Sequence, residues 1–176
     1  MEKIFYTNKC NYPSSEEAVK YLLKEYFGIA NAEIVKNENG KPYLAQQNDL
    51  PLFFSISHTK DWLFIAFSRN NIGIDAECMD RKVDYQPIVK KFSLNEQKEI
   101  QTTNNFLHHW TAKESTIKWL GGSIAKDLNS LSFINGKLAY KGEQLPVKIT
   151  FKNFENILLA ICAESDLHPT PFTLFP

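Results

Sequence analysis

The sequence predicts an α+β fold built on small antiparallel sheets. Three observations lead there: short apolar strands surround a single amphipathic helix in the first third, the middle third reads as a helical block, and the last third returns to strands. No low-complexity linker and no repeat at solenoid spacing breaks this order. The 176 residues suffice for one compact domain, residues 1–176, with a two-lobed arrangement and a cleft near residues 75 to 80.

Ile4 to Tyr6 reads as a short strand. Ser15 to Phe27 follows as a helix: Ser14 or Ser15 can cap it, Glu16 and Glu17 suit its positive end, Val19, Leu22, Leu23, Tyr26 and Phe27 form an apolar stripe, and Gly28 ends it. AEIV is a strand that runs into NENGKPY, where Asn39 and Gly40 supply a turn, Pro42 prevents helix, and Lys41 is presented on a loop. In LFFSISH, Phe54 and Ile56 alternate with Ser55 and Ser57, whereas WLFIAF is a continuous apolar run, as in a strand covered on both faces; HTKD joins them as a hairpin turn. In GIDAE, Ile72 and Ile74 share one face and Asp75 and Glu77 share the other.

The helical block comprises DYQPIVKKF, then SLNEQKEIQ with Ser93 and Glu96 at capping-box spacing, then a longer helix from Phe106 to Leu120 closed by Gly121 and Gly122. LSFI and KLAY are strands joined by Asn135 and Gly136, VKITF and ILLAICA follow, and the tail PTPFTLFP reads as irregular.

Hydrophobic residues at 43% and charged residues at 23% exclude a disordered or fibrous chain. Lys+Arg and Asp+Glu balance at 20 each, so no net field draws the chain to a nucleic-acid backbone or an anionic membrane, and any phosphate must be held locally. Nucleic-acid binding is set aside, since no basic stripe with interleaved aromatics occurs. The N-terminal MEKIFYTNKC lacks secretion-signal character and no apolar run is long enough to span a bilayer, so a cytoplasmic location is expected. Cys10, Cys78 and Cys162 lie far apart without metal or disulfide spacing and are expected as reduced thiols.

Side chains two apart in a strand lie on one face, so Asp75 and Glu77 can grip a hard divalent cation while leaving positions open for phosphates. On the long helix, Phe106, Trp110 and Ile117 form an apolar stripe with Glu114 at its border, one turn before Lys118; Glu114 is expected to be partly buried. The plain alternative is a surface pair between Glu114 and Lys118. Ser57 and His58 stand where a strand enters a turn, a place from which hydroxyl, imidazole and backbone N–H groups reach a phosphate.

Taken in order, GKPYL, FSISHTKDW, IGIDAE, KFSLNE and WTAKES followed by Lys118, covering about residues 40 to 122, resemble the 4'-phosphopantetheinyl transferase superfamily, particularly its Sfp type. The resemblance implies the transferase fold of two unequal pseudo-symmetric halves, here about 1–78 and 79–176, in one monomeric chain. It implies a Mg²⁺ site of Asp75, Glu77 and Glu114 that bridges to the pyrophosphate of coenzyme A, with Lys118 on those phosphates, Ser57 and His58 on coenzyme A phosphate groups, and Lys41 with Pro42 against the adenine nucleotide. Lys113 falls on the lysine of the WxxKE pattern and is expected to support phosphate or carrier contacts, and Trp110 to fix the helix by packing.

The implied reaction moves 4'-phosphopantetheine from coenzyme A to a serine of an acyl or peptidyl carrier protein and releases 3',5'-ADP. Charge must then be neutralised on the reacting phosphoryl group and the leaving phosphate, a task for Mg²⁺ and Lys118. Glu114 can take the serine proton directly or through a metal-bound water. Two competing readings are a binding-only relative that holds carrier protein or nucleotide and a Mg²⁺-dependent phosphohydrolase.

Overall fold

In the computed structural model, which describes residues 2–45, 51–164 and 171–176, the chain runs β1 (Lys3–Asn8), α1 (Ser15–Phe27), β2 (Ile34–Lys36), β3 (Pro42–Leu44), β4 (Phe53–Thr59), β5 (Trp62–Ser68) and β6 (Ile72–Cys78). It continues through α2 (Gln86–Val89), α3 (Leu94–Glu99), α4 (Thr103–Leu120), α5 (Ile124–Asp127), β7 (Leu131–Ile134), β8 (Lys137–Tyr140), β9 (Glu143–Gln144), β10 (Lys148–Phe154), β11 (Ile157–Ala163) and β12 (Phe172–Leu174). Two sheets carry the architecture, ordered β12-β1-β5-β4 and β10-β11-β6, with β2-β3 and β7-β8-β9 as smaller additions. The α+β fold with small antiparallel sheets is the one predicted; a single parallel pair, β1 with β12, is the exception among these pairings.

The two main sheets pack face to face, and each carries a helix on its outer face. Ile4, Phe64 and Ala66 meet Ile72, Ile74, Leu159 and Ile161 between the sheets. On the far side of the first sheet, Phe5, Ile65 and Phe67 pack on Val19, Leu22 and Leu23 of α1. On the far side of the second, Leu158 and Cys162 pack with Phe106, Ala112 and Ile117 of α4. β5 and β11 are thus covered on both faces, which explains their unbroken apolar runs. Phe5, Phe64 and Phe67 are buried to within 1% of complete enclosure, and burying each such ring contributes roughly 1.5–3 kcal/mol.

Local signals act as read. The Ser14 hydroxyl accepts from the Glu17 N–H at 3.2 Å, and Gly28 closes α1 in the left-handed region at φ 71°. Ser93 and Glu96 form the capping box of α3. Thr59 pairs with Trp62, leaving Lys60 and Asp61 as a two-residue hairpin turn.

Two expectations need correction. Part of the tail read as irregular is a strand: Phe172–Leu174 pairs with Ile4–Tyr6, and Phe175 is buried among Phe5, Tyr12 and Tyr21. The remainder of that tail before Pro171 lies outside the described residues. β6 pairs with β11 and so belongs to the second sheet, while β12 returns to the first. Of DYQPIVKKF only Gln86–Val89 is helical, with Pro87 in its first turn.

Candidate active site

The site forms where β4, β6 and α4 meet. β6 is an outer strand of its sheet, and the edge of the other sheet, β4, runs beside it without backbone pairing. Serine hydroxyls from β4 take the place of a ladder: the Ile74 N–H donates to Ser55 Oγ and the Ala76 N–H to Ser57 Oγ, each at 3.0 Å. On its other side β6 lies close under α4. A Cβ on Gly73 would fall 2.7 Å from the Trp119 backbone nitrogen and closer still to the Ser115 carbonyl oxygen, so only glycine permits this approach.

That closeness brings α4 side chains onto the acidic strand. Asp75 is 4% exposed, and its Oδ1 accepts from Lys118 Nζ at 2.8 Å and from Ser57 Oγ at 3.0 Å. Lys118 Nζ also donates to the Ile74 carbonyl at 3.0 Å. Asp75 Oδ2 is buried without a hydrogen-bond partner. Glu77 Oε1 accepts from Trp110 Nε1 at 3.1 Å and from the Arg81 guanidinium. Burial, then the charge of Asp75, with a smaller contribution from Glu77, pushes the Glu114 carboxyl up to about 8 against the opposing pull of Lys118.

Asp75, Glu77, Glu114 and Lys118 therefore lie together, and Lys118 reaches Asp75 rather than pairing with Glu114 at the surface. Among the described residues no three such side chains stand in a ready-made metal cage. The donor set nevertheless fits a hard divalent cation: all three are oxygen ligands, one buried carboxylate oxygen has no hydrogen-bond partner, and burial together with the charge of Asp75 raises the Glu114 pKa, a repulsion that a cation would relieve.

Two other expectations are corrected. Lys113 is fully enclosed, its Nζ 3.1 Å from Glu96 Oε1 and 3.9 Å from the centre of the Phe92 ring, so it ties α4 to α3 and reaches no phosphate or carrier. Burial would raise the Glu96 pKa, but His109, the Lys113 charge, the Ser93 hydroxyl and the Phe133 N–H outweigh it and hold the carboxyl down to about 2. Ser57 is likewise buried, with its hydroxyl committed to Asp75 and Ala76, which makes it a support for the carboxylate rather than a phosphate ligand. His58, one residue on, is exposed at the end of β4.

A cavity of about 310 Å³ continues from Glu114 and Lys118 to Lys41 and Pro42, floored by Gly122 and Ser123. Lys41 turns its amine to Asn71 Oδ1 at 3.2 Å, and burial lowers its pKa to about 8. Sequence reading missed Arg81 and the Glu77-holding role of Trp110. Arg81 follows Glu77 by four residues in a turn, a local spacing that could have been weighed. Cys10, Cys78 and Cys162 are free thiols, as expected.

The acidic cluster and Lys118 lie at the seam of the two helix-covered sheets. The family model described as the 4'-phosphopantetheinyl transferase superfamily matches residues 71–162, which include Asp75, Glu77, Glu114 and Lys118. The chain is 32% identical over 150 residues to the 4'-phosphopantetheinyl transferase AcpT of Escherichia coli (strain K12), a match that spans 81% of this chain and 69% of that protein. It is 34% identical over 119 residues to the 4'-phosphopantetheinyl transferase gsp of Aneurinibacillus migulanus, across 63% of this chain and 48% of the relative. With the 4'-phosphopantetheinyl transferase ffp of Bacillus subtilis, identity is 28% over 171 residues, 89% of this chain and 75% of the relative. The chain belongs to the 4'-phosphopantetheinyl transferase superfamily.

Proposed function

We propose that this chain transfers the 4'-phosphopantetheine group of coenzyme A to a serine hydroxyl of an acyl or peptidyl carrier protein and releases 3',5'-ADP. The observation that carries the reading is the buried Asp75 carboxylate, whose Oδ1 is held by Lys118 and Ser57 while Oδ2 has no hydrogen-bond partner, beside Lys118 and Glu114, which line one cavity together with Lys41 and Pro42. Asp75, Glu77 and Glu114 would hold Mg²⁺. When bound, the ion neutralises charge on the coenzyme A pyrophosphate.

The remaining work falls to the chain's own groups. Ser57 fixes one oxygen of Asp75 and leaves the other free, and Trp110 orients Glu77 through its indole N–H. Lys118, already inside the cluster, offers its ammonium to the phosphates as the departing 3',5'-ADP gains charge. Glu114 accepts the serine proton at its carboxylate, directly or through a water. His58 reaches phosphate from the rim of β4, and Pro42 with the Lys41 backbone packs on the nucleotide. The protein is proposed to act as a monomer in the cytoplasm, since one chain supplies both walls of the cleft; no helix among the described residues is long and apolar enough to cross a membrane.

Intact mass spectrometry of apo carrier proteins incubated with this protein, coenzyme A and Mg²⁺ tests the reading. The expected result is the gain of one phosphopantetheinyl group, abolished by EDTA. Carriers left unmodified while a reference transferase converts them would overturn it.

A further inference from the structure

The turn between β2 and β3 is fastened to the far end of α4 as well as closed within its own hairpin. Asn37 Oδ1 accepts from the Asn39 N–H at 3.0 Å and the Lys41 N–H at 2.9 Å, which closes the turn on itself. Its Nδ2 donates to the Gly121 carbonyl at 2.8 Å, and Asn39 Nδ2 donates to the same oxygen at 3.0 Å. A second tie runs in parallel: Lys41 Nζ donates to Asn71 Oδ1, and Asn71 Nδ2 donates to the Trp119 carbonyl at 2.6 Å. The last carbonyls of a helix have no partner within it, so these amides satisfy groups that α4 cannot. Gly121, at φ 69°, would bring a Cβ to 3.1 Å from Asn37 Nδ2, so the close seat also needs glycine.

The ties join two elements that line one cavity: Lys41 and Pro42 come from the turn and the start of β3, and Glu114 and Lys118 from α4. Asn37 itself does not line this cavity but borders the neighbouring one with Lys41 and Trp119, and its amide ties the two elements together.

Resting on the transferase reading above, we infer that Asn37 is a positioning residue that sets the width of the nucleotide end of the cleft, and thereby the affinity for the 3',5'-ADP portion of coenzyme A. Asn37→Asp separates its two jobs. A carboxylate still accepts from Asn39 and Lys41 and keeps the turn closed, but it cannot donate to Gly121 and repels that carbonyl.

The test is steady-state formation of holo carrier protein by the wild type and Asn37→Asp, with 3',5'-ADP as product inhibitor. The expected result is a joint rise of about tenfold in the KM for coenzyme A and the Ki for 3',5'-ADP, with kcat within about twofold. Unchanged KM and Ki, or a fall in kcat alone, overturns the inference and leaves the transferase reading standing. A wild type that ignores both coenzyme A and 3',5'-ADP overturns the transferase reading and the inference with it.

Discussion

Replacing Gly73 by alanine tests how closely β6 and α4 must approach for the site to exist. The new Cβ would stand 2.7 Å from the Trp119 nitrogen and 3.0 Å from the Ser115 carbonyl carbon, with the Ser115 oxygen nearer still. These are backbone atoms, so no rotamer change relieves the collision, and α4 has to retreat by about 1.5 Å to restore ordinary contact with the Ser115 oxygen. Overpacking of this kind costs about 1–3 kcal/mol, a fall of roughly 2–12 °C in melting temperature for a chain of this size. The catalytic effect should be larger than the loss of stability suggests. Lys118 spans the same gap to the Ile74 carbonyl and Asp75, at 3.0 and 2.8 Å, and a misplacement of about 1 Å in a reacting group can cost about 100-fold in rate. Thermal unfolding and holo-carrier formation below the melting transition read the two effects separately. A variant that melts with the wild type and transfers at the wild-type rate would refute the close approach as the element that builds the site.

Asp75→Ala and Glu114→Ala should each abolish transfer while circular dichroism shows an intact fold; full activity in either would sink the metal-site assignment. Ser57→Ala removes the hydrogen bond to Asp75 Oδ1 and the acceptor for the Ala76 N–H, so the Mg²⁺ concentration for half-maximal rate should rise more than the KM for coenzyme A; the reverse order would return Ser57 to the phosphate. Lys113→Met leaves Glu96 buried without its cation and should destabilise the protein by about 3–5 kcal/mol, a large drop in melting temperature; an unchanged melt would mean the pair is dispensable. The Glu96 carboxyl titrates at about 2 in the folded chain, below its ordinary value, so it binds fewer protons folded than unfolded. Its stabilisation is therefore present above about pH 4.5 and is lost as pH falls toward 2; Glu96→Gln should flatten denaturation midpoints across that window, and an unaltered acid limb would count against it.

Much of the site was legible because its signals are local. Asp75 and Glu77 share a strand face by simple alternation, and Glu114 and Lys118 follow from helical spacing on α4. Lys113 shows where such reading slipped. Phe106, Trp110, Lys113 and Ile117 follow one another at helical spacing, so the periodicity already set Lys113 among apolar neighbours, but its partner Glu96 was read only as a capping residue. A lysine on a buried stripe signals a buried acid nearby, and only the packing of α3 on α4 identifies which one. Ser57 was misread for a related reason: strand alternation places its hydroxyl on a face, but cannot say that β6 rather than solvent lies against that face.

By itself the sequence determined the α+β class, the boundaries of α1 and the start of α3 through their caps, and the hairpin turns, because each rests on neighbours a few residues apart; that Asp75 and Glu77 act with Glu114 and Lys118 was implied by the family resemblance. The tertiary structure decided that β6 joins the second sheet, that β12 returns to the first, that serine hydroxyls join β4 to β6, and that the Asn37 turn is fastened to the end of α4. Those contacts link residues far apart along the chain. They are selected by the burial of whole faces and the pairing of backbone groups left over when the sheets pack, quantities that no short stretch of sequence contains.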